Sequence, residues 1–68
     1  MKDKFSTELG EWLTQKRNEK HLTQQEAADR MGCAKTRICN WEKGIRDMSA
    51  KDLIKYCKII GADLREFI

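Results

Sequence analysis

An all-α fold is predicted from three observations: apolar residues recur at helical spacing, capping residues and glycines delimit five segments, and strand-like alternation is absent. Sixty-eight residues give room for one domain, 1–68, with a small core. A chain of this size buries only about 60% of the surface it exposes when unfolded. With no proline, four scattered glycines and no low-complexity stretch, the sequence shows neither linker nor repeat.

The first helix is predicted over about residues 7–20, capped by Ser6 or Thr7, with Leu9, Leu13 and Arg17 stacked at four-residue spacing and an end near His21. The second, residues 23–31, opens on the capping box Thr23-Gln-Gln-Glu26, turns Ala27, Ala28 and Met31 inward, and stops at Gly32. The third, residues 34–43, gathers Ala34, Ile38 and Trp41 on its core side and ends at Gly44. Opposite them lie Thr36, Cys39, Asn40 and Lys43, flanked by Lys35 and Arg37. The fourth, residues 49–60, starts at Ser49, carries Leu53, Tyr56, Cys57 and Ile60, and stops at Gly61. A fifth, residues 63–68, is capped by Asp63-Leu-Arg-Glu66 and carries Leu64, Phe67 and Ile68.

A net charge of +3 does not by itself identify a partner. Its distribution says more. From Arg30 to Arg46 there are five basic residues (Arg30, Lys35, Arg37, Lys43 and Arg46) and one acid, Glu42. The three cysteines, Cys33, Cys39 and Cys57, form no Cys-x-x-Cys pair and are odd in number, which argues against a disulfide framework and against a closed zinc site. Cys33 and Cys57 are expected as small core residues, and a reducing setting follows. No metal or other cofactor is expected. With His21 as the only imidazole, the thiols lack a base, and a small enzyme is disfavoured. No stretch resembles a signal peptide or approaches the roughly 20 apolar residues of a membrane span, so a soluble, cytoplasmic protein without membrane contact is expected.

A short helix, a glycine turn and a second helix with a basic polar face describe a helix-turn-helix, whose second helix fits the ~12 Å wide major groove of duplex DNA. The residue types suit that place. Lys35 donates to guanine O6 or N7, Asn40 pairs with adenine N6 and N7, and Thr36 bonds a base edge or touches a thymine methyl. Gln24, in the first turn of the second helix, adds a donor where free amides and the positive end of the dipole favour a phosphate. Arg37, Lys43 and Arg46 sit on the shoulders of the third helix, where they meet backbone rather than bases.

At "LTQQEAADRMG" with Gln24, Ala28 and Gly32, "TRICNWEKG" with Ile38, Glu42 and Gly44, and "LIKYCKIIGADLREFI", the chain resembles the phage-repressor and Cro-type helix-turn-helix family, also called Xre-like. The likeness runs from Leu9 to Ile68. It implies a compact five-helix, lambda-repressor-like domain that reads operator DNA, usually an inverted repeat, as a homodimer on half-sites about one helical turn apart. Position by position, Lys35, Thr36 and Asn40 match the family's base-reading residues, and Gln24 its phosphate-binding glutamine. Arg17 and Glu42 match a structural ion pair. The chain departs from the pattern at Trp12, Lys16, His21, Ala27 and Ala34; Ala34 replaces the usual Ser or Thr cap of the reading helix.

Trp12 falls beside the Leu9 and Leu13 stripe, where it either widens that packing or stays exposed for a partner chain. Together with Phe67 and Ile68 it is a candidate dimer contact. A second class of function follows from the same residues: an antitoxin-like protein-interaction module in which DNA binding is secondary. An apolar patch at Trp12, Phe67 and Ile68 too large for a small dimer contact would favour that alternative.

Overall fold

Short-range chemistry sets most helix ends in this chain. In the computed structural model, which describes residues 4–45 and 48–67, the helices are α1 (Lys4–Glu19), α2 (Gln24–Met31), α3 (Lys35–Lys43) and α4 (Ala50–Ile60). The capping box of α2 is complete: the Glu26 amide donates to the Thr23 hydroxyl at 3.0 Å, and the Thr23 amide to the Glu26 carboxylate at 2.9 Å. The hydrogen bond from the Thr23 backbone holds the Glu26 carboxyl below its usual range. Ser49 caps α4 by accepting from the Asp52 amide at 3.1 Å. Gly32, Gly44 and Gly61 close α2, α3 and α4 in the left-handed conformation, and His21, at φ 60°, adopts the same region after α1.

Two expectations are corrected. The described residues hold four α-helices rather than five, because the segment after Gly61 forms a single 3₁₀ turn over Leu64–Glu66. Its hydrogen bonds run three residues back, from the Glu66 amide to the Asp63 carbonyl at 2.9 Å and from the Phe67 amide to the Leu64 carbonyl at 3.0 Å. Three residues per turn bring Leu64 and Phe67 onto one side, and both pack against the core. Ile68 lies outside the described residues. The second correction concerns α1, which begins at Lys4, so Ser6 and Thr7 lie inside the helix and do not cap it. The ring of Phe5 meets that of Phe67 edge-on at 5.7 Å, a tertiary contact that supports the added turn.

Helices α1 and α2 both pack on α3, and α4 closes the fourth side against α2 and α1. Leu13, Ile38, Tyr56 and Ile60 are the largest fully buried side chains, joined by Leu9, Leu22, Ala27, Ala28, Met31, Trp41 and Cys57. The small size of Ala27 and Ala28 suits the close fit of a two-turn helix against its neighbours. Gly10 lets α1 approach α3 still more closely: a methyl group there would stand 2.7 Å from the Trp41 carbonyl oxygen and also collide with that of Glu42. The backbone of α1 thereby fixes the C-terminal end of α3.

Candidate nucleic-acid interface

Helix α3 presents one face to the core and the other to solvent. Ile38 and Trp41 are buried, whereas Lys35, Thr36, Arg37 and Lys43 are exposed and Cys39 and Asn40 are half-buried. The outward face therefore combines three cations with small hydrogen-bonding side chains. Ala34, expected on the core side of this helix, is instead exposed and stands before it in extended conformation as a residue without a polar side chain, so the N-terminus of α3 has no side-chain cap. Arg46 lies outside the described residues, so its expected backbone contact has no structural counterpart here.

The only acid on α3, Glu42, is turned away from that face, with 6% of its side chain exposed. Its carboxylate accepts from Arg17 Nε at 2.6 Å and Nη2 at 3.2 Å, a forked pairing across α1 and α3. Arg17 also donates through Nη1 to the Leu22 carbonyl at 2.6 Å, which ties in the segment before α2. The hydrogen bond to the Glu42 carboxylate raises the Arg17 guanidinium above its ordinary value. The Tyr56 hydroxyl reaches the same carboxylate at 3.5 Å, and burial first, then the Glu42 charge, pushes the phenol well above its usual range. An acid is thus removed from the surface and compensated inside, leaving the outer face of α3 without an exposed negative side chain.

Gln24 stands at the first position of α2, half-buried, and its Nε2 donates to Glu42 Oε1 at 2.9 Å. It is therefore joined to the Arg17–Glu42 pair. Sequence reading placed Gln24 and Glu42 separately, because residues 18 positions apart give no spacing signal. Lys55 was also missed: from α4 its ammonium donates to the Met31 carbonyl at 3.1 Å, satisfying an orphan acceptor at the C-terminal end of α2 just before the turn. Gly10, and the contact of Tyr56 with Glu42, complete the set of supporting features that the sequence did not reveal.

On the far side of α1 from this network, Trp12 and Phe67 meet at a 43° tilt with ring centroids 5.4 Å apart, and Phe5 joins Phe67 while remaining 58% exposed. Lys16 sits 5.9 Å over the Trp12 ring and pairs with Glu66 at 3.2 Å, tying the 3₁₀ turn to α1. The Glu66 hydrogen bond raises the Lys16 ammonium above its ordinary value. Trp12 is half-buried, so both openings left by the sequence are partly met: it widens the packing and keeps an accessible edge. Cys33 is half-buried in the turn after α2, and Cys57 is buried in α4.

Two short helices joined at Gly32, the second with a cationic and polar outer face, define a helix-turn-helix, the class of domain that lays its second helix in the DNA major groove. The helix-turn-helix family model matches residues 13–67, and the chain belongs to that family. Among solved structures it is similar to the clp gene regulator ClgR from Corynebacterium glutamicum, with 23% identity and a TM-score of 0.89 over 97% of this chain and 85% of that one. A second ClgR crystal structure gives 23% identity and a TM-score of 0.88 over 97% of this chain and 70% of that one. The restriction-modification controller protein C.AhdI from Aeromonas hydrophila is similar at 23% identity and a TM-score of 0.85, over 94% of this chain and 97% of that one. No curated protein sequence matches the chain.

Proposed function

We propose that this protein is a transcriptional regulator that reads operator DNA in the major groove with α3. The observation that carries the reading is the outer face of α3, where Lys35, Thr36, Arg37 and Lys43 are exposed beside the half-buried Asn40 while Glu42 is drawn inside. Lys35, Thr36 and Asn40 read base edges, and Gln24, Arg37, Lys43 and Arg46 hold phosphates. The likeness to a gene regulator and to a controller protein supports a regulatory role.

The reading includes a homodimer on an inverted repeat. The aromatic cluster of Phe5, Trp12 and Phe67 supplies an apolar surface for a second copy, with Ile68 as a further contact. Selection of bound sequences from a random duplex library at near-physiological salt tests both parts. Enrichment of an inverted repeat with at least ~10³ preference over random DNA is expected, and the half-site spacing then gives the dimer geometry. Binding that tracks salt without enriching any sequence would reduce α3 to an electrostatic surface and favour the antitoxin-like reading.

A further inference from the structure

We propose that Glu42 is a positioning residue for phosphate binding by Gln24, in addition to being the partner of Arg17. This rests on the reading of Gln24 as a phosphate contact. A primary carboxamide has an accepting end and a donating end of nearly equal shape, and an exposed glutamine offers either one to an approaching anion. Here the choice is made in advance. Glu42 Oε1 lies 2.9 Å from Gln24 Nε2, so the amide group faces the carboxylate. The opposite orientation would set the Gln24 carbonyl oxygen against a carboxylate oxygen, two acceptors in contact. The nitrogen has two protons about 120° apart; one is held by Glu42, and the other is directed away from it. Gln24 is also the first residue of α2, where the capping box takes up the Glu26 amide and leaves those of Gln24 and Gln25 open, so this second proton joins a group of donors that suits a phosphate.

Glu42 is itself fixed. Its side chain is almost fully buried and its oxygens are shared among Arg17, Gln24 and the Tyr56 hydroxyl. The carboxylate is therefore a stationary reference on α3 that aligns a side chain on α2, and the ordering of Gln24 is met before DNA arrives.

The test is a double-mutant cycle on the whole chain, with affinity for a mixed-sequence duplex measured at one fixed, low salt concentration. Gln24→Ala is expected to weaken binding about five- to tenfold, Glu42→Gln by a similar factor, and the double variant hardly further than either one. Equal, multiplying losses would show that Glu42 acts on binding only through the general fold, which overturns the proposal while leaving Gln24 as a phosphate contact. An unchanged affinity for Gln24→Ala would remove that contact and the proposal with it. Glu42→Gln leaves Arg17 poorly paired, so a measurement on the unmutated protein stands beside the cycle. Side-chain amide resonances of Gln24 in the free protein should show one proton shifted and protected from exchange; solvent-like behaviour of both protons overturns the proposal even where Glu42→Gln fails to fold.

Discussion

Replacing Gly10 by alanine tests how closely α1 and α3 depend on backbone contact. In an unconstrained helix the change is favourable by roughly 0.5–1 kcal/mol, because alanine loses less backbone freedom on folding. Here the added methyl would stand 2.7 Å from the Trp41 carbonyl oxygen, with the Glu42 carbonyl also in collision. Ordinary contact begins near 3.4 Å, so α1 must retreat by about the difference, and the obstacle is helix backbone rather than a side chain free to rotate. Overpacking of this kind costs about 1–3 kcal/mol, and the rigid obstacle places it at the upper end. The net loss is about 2 kcal/mol, which for a domain of this size lowers the melting temperature by roughly 8–16 °C. Thermal unfolding followed by circular dichroism at 222 nm measures it. A Gly10→Ala protein that melts at or above the parent temperature would refute the close approach of α1 to α3.

Three further outcomes follow from particular residues. Tyr56 is the only tyrosine, so tyrosinate absorbance reports on it alone. The unfolded phenol ionises near 10.0 and the folded one higher; its contribution is intact below the unfolded value and lost as pH rises through the folded one, so tyrosinate should appear only together with loss of helix. Tyrosinate formed near pH 10 with the helices intact would contradict the buried Tyr56–Glu42 contact. His21→Gly should stabilise the chain by about 0.5–1 kcal/mol in chemical denaturation, since glycine relieves a left-handed residue at φ 60°; a loss of stability would mean that the His21 side chain holds the α1–α2 junction. Phe67→Ser should weaken self-association about tenfold in sedimentation equilibrium if the Phe5–Trp12–Phe67 surface joins two copies, and an unchanged association constant would place the dimer contact elsewhere.

The parts of this fold that are local in sequence were legible there. Thr23 and Glu26 form a capping box three residues apart, and Gly32, Gly44 and Gly61 each follow the last apolar residue of a helical pattern, so the ends of α2, α3 and α4 follow from chemistry within one turn. The start of α1 was not legible, because its added turn is supported by Phe5 meeting Phe67, 62 positions away. The last segment looked helical by its apolar spacing, yet the spacing of Leu64 and Phe67 is the three-residue repeat that a 3₁₀ turn satisfies equally well. At the candidate interface the outward set on α3 was readable from the helical wheel, since Ile38 and Trp41 define the inner side. Gln24 joining Glu42, Lys55 joining Met31, and the backbone meeting at Gly10 depend on how separate helices cross, and no spacing within one segment encodes that.

Under the proposed function, α3 reads bases with Asn40 and holds the DNA backbone with Lys43. Affinities of Asn40→Ala and Lys43→Ala for the duplex that the parent protein enriches, and for random duplex, both across a salt series, test it most directly. Asn40→Ala should weaken binding to the enriched duplex by about 1–3 kcal/mol, relax one base position and leave random DNA nearly unchanged. Lys43→Ala should weaken both duplexes alike and reduce the salt slope by about one. Equal loss on the enriched and random duplexes for Asn40→Ala would contradict the claim that this face of α3 reads sequence.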